Sequence, residues 1–200
     1  MRRVGIYLFD EVEVLDFAGP FEVFSTASRV SRKMHPGSEP PFEVITLGVD
    51  RATVRARGGL RVEPQFSLEE HPQIDVLLIP GGVVTAELQK PAVIAWIAER
   101  AKAAELTASV CTGAFLVGKA GLLEGRCVTT HWEDIAELRA FLPNNEVMEN
   151  TRWVDEGAFI SSGGISAGLD MSFHIVERLA GRELALRTAR QMEYEWRDDE

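Results

Sequence analysis

Short apolar runs bounded by turn residues alternate along the chain with segments whose apolar residues recur at helical spacing. The apolar runs are typical of buried strands and lie at 4–9, 42–49, 74–80 and 106–110. The amphipathic segments predict helices at 17–30, 91–104, 165–179 and 182–196. Strands that alternate with helices favour right-handed crossovers and a mostly parallel sheet covered on both faces. The pattern therefore predicts an α/β three-layer sandwich.

Two segments depart from this alternation and predict antiparallel hairpins added at a sheet edge. Gly58 and Gly59 lie between the alternating runs of 53–63, and Gly157 ends a turn within 153–161. The polar segment 31–41 is interpreted as a loop inside one domain, because neither side of it could form a core alone. A single domain over residues 1–200 is expected.

Composition and charge narrow the classes of partner. The chain has 200 residues, of which 46% are hydrophobic, enough for one core. Its 21 Lys and Arg against 31 Asp and Glu give a net charge of -10, which disfavours nucleic acids and anionic membrane surfaces as partners. No stretch approaches the roughly 20 apolar residues that a membrane span requires. Two cysteines in a chain of this size favour a reducing compartment, so a cytoplasmic location is expected.

Cys111 holds the position with the strongest chemical signal. It follows the predicted strand 106–110 directly and precedes a predicted helix at 114–120, so it lies on a strand-to-helix turn of the kind called a nucleophile elbow. Gly113 and Ala114 supply the small neighbours that such a turn needs. The helix start is expected to stabilise a thiolate and to offer N–H groups to an oxyanion. The alternative is a buried structural cysteine.

Gly81 and Gly82 end another predicted strand at the same, carboxyl, edge of the sheet, where open α/β folds place ligands. Their N–H groups could join an oxyanion site, although a plain turn is the alternative.

Asp16 is an acid in an apolar stretch shortly after the first strand. If the Asp16 carboxyl lies in an apolar site near Cys111, its proton affinity is raised and it could shuttle protons. One alternative is that Asp16 caps a helix, and another is that Glu22 takes the proton-shuttling role.

Two further segments are candidates for the pocket. His131 follows a strand-like stretch and could act on the thiol as a base or orienting group, or face solvent. The glycine-rich segment 163–168 leads into a helix and is interpreted as a pocket wall, since it matches neither the Walker nor the dinucleotide pattern. Cys127 is expected in the core. The four histidines lack metal-ligand spacing, so no metal site and no cofactor are predicted.

Six motifs, in one order over nearly the whole chain, resemble a known family. They are 15–20 (LDFAGP), 79–82 (IPGG), 110–114 (VCTGA), 120–125 (AGLLEG), 129–132 (TTHW) and 163–168 (GGISAG). The chain resembles the ThiJ/PfpI superfamily of class I glutamine-amidotransferase-like folds. Within it, the likeness is to isocyanide hydratases and to the amidotransferase-like sensor domains of AraC-type regulators.

This resemblance implies a flavodoxin-like sandwich, usually a homodimer, with Cys111 as the nucleophile. Asp16 resembles the family's acid that forms a hydrogen bond with the nucleophile. Thr112 resembles the residue next to the nucleophile whose backbone N–H and hydroxyl contribute to the site. By the same resemblance Gly82 is the other backbone donor. The remaining residues expected at the pocket are Gly81, Phe17, His131, Gly164 and Ile165. Phe17 and Ile165 are expected to give the pocket apolar walls that admit an uncharged organic substrate.

Departures from the family pattern limit the choice of activity. Members described as intracellular proteases have His directly after the nucleophile, whereas this chain has Thr112. The glyoxalase and deglycase-like branch has Glu where Asp16 stands. AraC-type regulators continue into two helix-turn-helix units, so if 200 residues is the natural length no DNA-binding unit is expected.

The resulting expectation is an isocyanide hydratase-like enzyme acting on an uncharged small organic substrate. Cys111 would form a thioimidate, and Asp16 would pass protons and help to place a water that releases a formamide. Two alternatives remain: a ligand-sensing or redox-sensing protein without turnover, and a glyoxalase-like enzyme acting on dicarbonyls.

Overall fold

The apolar runs form the centre of a seven-stranded sheet. The computed structural model describes residues 1–198, so the last two residues of the predicted domain lie outside the described residues. The strands are β1 (Arg2–Tyr7), β2 (Phe42–Gly48), β3 (Val54–Arg55), β4 (Arg61–Val62), β5 (Phe66–Ser67), β6 (Val76–Ile79), β7 (Leu106–Val110), β8 (Cys127–Val128), β9 (Glu146–Val147), β10 (Trp153–Asp155) and β11 (Phe159–Ser162). The helices are α1 (Val14–Met34), α2 (Pro91–Ala103), α3 (Gly113–Lys119), α4 (Ile135–Phe141), α5 (Ala167–Ala180) and α6 (Arg182–Gln191).

The sheet is parallel except at one edge. Its strand order is β10-β11-β7-β6-β1-β2-β5, and only β10 pairs antiparallel with its neighbour. Every residue of β6 and β7 is buried, because helices cover both faces of the central strands. Helices α1, α5 and α6 pack together on one face, and α2, α3 and α4 form the second group. The predicted three-layer α/β sandwich is confirmed.

Helix α1 is longer than its hydrophobic pattern predicted. It begins at Val14, because the side chain of Glu13 accepts the N–H of Val14 at the N-terminus. It continues to Met34, so residues 31–34 are helical and the predicted loop starts later. The early start places Asp16 in the first turn of α1, directly above the carboxyl edge of the sheet.

The two predicted hairpins form, but only one joins the main sheet. Strands β3 and β4 pair antiparallel as a separate two-stranded sheet, so the expected edge addition is wrong. The N–H of Glu11 donates to the carbonyl of Arg55, and the N–H of Arg57 donates to the carbonyl of Val12. The hairpin is therefore attached to the loop after β1. In the second hairpin, β10 is the antiparallel edge strand and β11 lies inside the sheet, parallel to β7.

Both C-terminal helices are shorter than predicted. Helix α5 begins at Ala167, because Ile165 has a φ of 55° that a right-handed helix does not allow. Helix α6 ends at Gln191, whereas the sequence predicted an end at 196. The chain turns at Glu193, which has a φ of 52°. Within residues 1–198, no helix is both long enough and apolar enough to cross a membrane.

Candidate active site

Cys111 stands on a sharp turn between β7 and α3. Its φ of 56° lies in the left-handed region, which is strained for a residue other than glycine. The turn is fixed on both sides: the N–H of Cys111 donates to the carbonyl of Ser162 (3.1 Å), and the hydroxyl of Thr130 donates to the carbonyl of Cys111 (2.8 Å). The residue is 8% exposed. This is the nucleophile-elbow geometry that the sequence predicted.

Glycines allow the neighbouring segments to approach this turn. A Cβ on Gly113 would lie 2.1 Å from the carbonyl oxygen of Ile79, the last residue of β6. A Cβ on Gly81 would lie 2.6 Å from the nitrogen of Thr112 and 2.9 Å from the Cβ of Cys111. The Pro-Gly-Gly turn therefore packs directly against the elbow, which only residues without side chains permit.

Thr112 and Gly82 are joined by two hydrogen bonds. The N–H of Gly82 donates to Oγ1 of Thr112 (2.9 Å), and this hydroxyl donates to the carbonyl of Gly82 (2.9 Å). The resemblance implied that the Gly82 N–H faces the reacting group, but the structure pairs it with Thr112. Gly82 therefore positions Thr112, whose own N–H lies beside the sulfur of Cys111.

Asp16 connects three segments at the carboxyl edge of the sheet. It is fully buried; Oδ2 accepts the N–H of Gly81 (3.1 Å) and Oδ1 accepts the N–H of Ile165 (3.3 Å). Asp16 does not cap the helix, because Glu13 does. The competing acid Glu22 lies near the surface, where it bonds Arg29. Asp16 is therefore the carboxyl of the site.

Burial raises the pKa of Asp16 from an ordinary 3.8 to about 7. The N–H of Gly81 opposes this rise, whereas the charge of nearby Glu13 adds to it. Both protonation states of Asp16 are consequently populated near neutral pH. A carboxyl in this condition can accept and return a proton without a large energetic penalty.

Burial also raises the pKa of the Cys111 thiol, to about 12, and the charge of Asp16 adds to this effect. The N–H and hydroxyl of Thr112 act in the opposite direction. The donors at the start of α3 therefore favour the thiolate, which is the direction that the sequence predicted, but burial of the sulfur outweighs them. Protonation of Asp16 removes one cause of the raised thiol pKa and supplies an O–H donor. The two groups thus behave as a coupled pair that exchanges a proton.

Gly164 lies opposite the thiol, as the resemblance implied. A Cβ there would lie 3.1 Å from the Cys111 sulfur and 2.3 Å from Cδ2 of His131. Nδ1 of His131 lies 3.5 Å from Asp134, and among residues 1–198 no hydrogen bond joins His131 to the sulfur. His131 therefore forms part of the wall, and its predicted role as a base has no direct contact to support it.

A cleft of about 430 Å³ opens next to Gly164. Its lining residues are Thr129, Thr130, His131, Trp132, Ile135, Glu149, Asn150, Thr151, Arg152, Gly163, Gly164, Ile165 and Ala167. Most of these side chains are polar, whereas the sequence predicted apolar walls. Ile165 does line the cleft, but Phe17 is only 7% exposed and packs in the core.

Two residues that contribute to the site carried no sequence signal. Glu13 and Arg152 lie outside the motifs that the sequence analysis singled out, yet the charge of Glu13 acts on Asp16 and Arg152 lines the cleft. Cys127 was expected in the core and is instead half-buried, with its sulfur 3.5 Å from a carboxylate oxygen of Glu146. It lies in β8, which pairs only with β9 outside the main sheet.

Comparisons with known proteins agree with this architecture. The isonitrile hydratase of Pseudomonas putida is 31% identical over 96% of this chain and 78% of its own length. The HTH-type transcriptional regulator GbdR of Pseudomonas aeruginosa is 28% identical over 97% of this chain, which spans 51% of that regulator. The crystal structure of a ThiJ/PfpI family protein from Pseudomonas syringae superposes with a TM-score of 0.84 at 24% identity, covering 97% of this chain and 75% of that one. The model of the DJ-1/PfpI family matches residues 2–178, and the chain belongs to this family.

Proposed function

We propose that this protein is a cysteine-dependent hydratase that converts an isocyanide (isonitrile) to an N-substituted formamide. The observation that carries the proposal is the placement of the Cys111 thiol beside a buried Asp16 whose pKa lies near 7. This pair can form a thiolate on demand and hold the released proton nearby. The similarity to an isonitrile hydratase over 96% of the chain supports the substrate class.

In the first half of the reaction, Asp16 accepts the thiol proton as the sulfur attacks the terminal carbon of the isocyanide. A sulfur–carbon bond forms, and Asp16 returns its proton to that same carbon. The product is a thioimidate in which carbon holds both sulfur and hydrogen, so no oxidant or reductant is needed. The N–H of Thr112 lies beside the sulfur and stabilises its developing charge.

In the second half, water adds to the thioimidate carbon, with its oxygen on carbon and one proton on nitrogen. The carbon–sulfur bond of this adduct then breaks, and the hydroxyl proton returns to sulfur. These steps release the formamide and restore the thiol. Asp16 is placed to carry the protons, because Gly81 and Ile165 fix both of its oxygens.

The test is formamide production from an aromatic isocyanide by the wild type and by C111A, D16N and C127A. We expect C111A to be inactive and D16N to lose about 10²- to 10⁴-fold in kcat, the usual contribution of a general acid–base. C127A removes the half-buried thiol of β8 and should retain full activity. Full turnover by C111A or D16N would exclude this mechanism.

A ligand-sensing or redox-sensing protein without turnover is the second candidate. The match to a transcriptional regulator over 97% of this chain favours it. Methylglyoxal should be assayed in parallel, with lactate as the product. No product from either substrate, together with stable addition of two oxygens at Cys111 under mild peroxide, would support sensing in place of hydration.

A further inference from the structure

The cleft beside Gly164 contains one guanidinium with an open edge. Arg152 lines the cleft, and its side chain is 26% exposed. Nε donates to Oδ2 of Asp170 (2.5 Å), and Nη2 contacts the same oxygen and Oγ of Ser166 (3.3 Å). Within residues 1–198, Nη1 donates no hydrogen bond, and the hydroxyl of Tyr194 lies beside the Arg152–Asp170 pair. One edge of the guanidinium is thus held by the protein while Nη1 remains available to a ligand.

The held edge rests on a rigid support. Asp170 is fully buried, and its Oδ1 accepts the N–H of Arg197 (3.0 Å). The indole N–H of Trp196 donates to the Asp170 carbonyl (3.2 Å), so the segment after α6 fixes this part of α5. A guanidinium whose Nε and Nη2 are held by a buried carboxylate is pre-organised to bind a ligand through its remaining nitrogen.

Arg152 lies close to the nucleophile. The N–H of Gly163 donates to the carbonyl of Arg152 (2.9 Å), and the next residue, Gly164, packs against the sulfur of Cys111. Arg152 and Gly164 also line the same cleft. A small molecule that fills this cleft can therefore contact the guanidinium and approach the thiol.

The acidic residues near the cleft have cationic or imidazole neighbours of their own. Glu149 pairs with Arg139 at 2.5 Å, and its side chain is 52% exposed, so it lies at the outer rim. Glu133 and Asp134 flank the imidazole of His131. Arg152 is consequently the group of the cleft best placed to bind an anion.

We propose that the cleft selects ligands that carry a carboxylate, which the open edge of Arg152 binds while the reactive carbon lies at Cys111. A carboxylate is the expected ligand, because it accepts a strong charge-assisted hydrogen bond from the free Nη1 while the other two nitrogens stay on Asp170 and Ser166. The catalytic part of this inference rests on the proposed hydratase function, and its substrate would be an isocyanide with a nearby carboxylate. The binding part is independent of turnover.

The test uses two matched formamides, N-formylglycine and its methyl ester, titrated into the full chain by calorimetry. We expect the acid to bind the wild type about tenfold or more tightly than the ester, because a charge-assisted hydrogen bond is lost in the ester. R152K keeps a positive charge beside Asp170, but its single nitrogen cannot hold Asp170 and present a separate donor to the ligand, so it should weaken binding of the acid about tenfold and leave the ester unchanged.

Two further variants keep the test decisive. The double variant R152Q/D170N removes both charges without leaving either one buried alone, and should abolish the preference for the acid. R187Q, on the exposed side of α6, is the control and should bind both probes as the wild type does. Equal binding of acid and ester, absence of binding by both, or a preference that survives in R152K and the double variant would refute the carboxylate site.

The same proteins separate this inference from the proposed function. Binding of N-formylglycine through Arg152 without isocyanide turnover would refute the hydratase and retain the carboxylate site. Equal hydration of isocyanoacetate and its methyl ester would refute the carboxylate site and retain the hydratase.

Discussion

Replacing Asp16 with asparagine should change how the free energy of unfolding depends on pH. The Asp16 pKa rises from 3.8 to about 7 on folding, so the folded state binds this proton more tightly than the unfolded state does. That contribution to stability is complete below pH 3.8 and is lost as the pH rises through about 7. Between pH 5 and pH 8 the wild type should lose about 2 to 3 kcal/mol from this group alone.

The D16N variant lacks this titration. Its free energy of unfolding minus that of the wild type should therefore increase by about 2 to 3 kcal/mol between pH 5 and pH 8. The asparagine amide must face one of the two backbone N–H groups, which costs about 1 to 3 kcal/mol at every pH. The change of the difference with pH, and not its value at one pH, is thus the diagnostic quantity.

The measurement is urea unfolding of both proteins at pH 5, 6, 7 and 8, followed by circular dichroism. E22Q, which alters an acid near the surface of the same helix, is the matched control, and its difference from the wild type should change little over this range. A D16N difference that stays constant with pH would mean that folding does not raise the proton affinity of Asp16. The proposed proton exchange with Cys111 would then lose its basis.

Three other substitutions test the geometry of the site. Thr112→Val removes both hydrogen bonds to Gly82 and should lower the free energy of unfolding by about 1 to 3 kcal/mol, measured by urea unfolding; an unchanged midpoint would contradict this. Gly113→Ala places a methyl 2.1 Å from the backbone oxygen of Ile79 and should destabilise by about 1 to 3 kcal/mol or more, seen as a lower Tm. Gly164→Ala crowds the sulfur and the neighbouring imidazole, and it should reduce kcat/KM for the isocyanide at least about tenfold with little change in Tm; wild-type kinetics would refute the close approach.

The elbow could be predicted from sequence because its determinants are local. A buried strand, Cys111, Gly113 and a short apolar helix are consecutive, so the turn between strand and helix can be identified from the local sequence. The role of Asp16 was harder to predict, because its partners Gly81 and Ile165 are 65 and 149 residues away in sequence. Only the topology of the parallel sheet brings these segments to one edge. Asp16 could be singled out as an acid in an apolar stretch and by the family motif that contains it, but neither signal identified its hydrogen-bond partners.

The chemistry of the pocket was predicted less well, for a related reason. The cleft combines segments 129–132, 149–152 and 163–167, and no periodic pattern links them. Phe17 and Ile165 were both expected in an apolar pocket, but the helix places Phe17 in the core. Arg152 immediately precedes β10 and is held by Asp170 of α5. Sequence spacing does not reveal this contact. Local hydrophobicity therefore predicts the sheet, whereas the cleft depends on tertiary contacts.

The protonation of the Cys111–Asp16 pair bears on which reaction the site favours. A thiol whose pKa is about 12 is protonated at rest, so the nucleophile forms only when Asp16 takes its proton. An isocyanide suits this pair, because its terminal carbon receives both the sulfur and the proton and no oxyanion develops in that step. A dicarbonyl would instead place negative charge on an oxygen, which needs several aligned donors. The N–H of Gly82 is already paired with Thr112, and that of Gly81 with Asp16. For this reason we expect formamide production from an isocyanide to exceed lactate production from methylglyoxal, and the reverse order would show that these backbone donors rearrange when substrate binds.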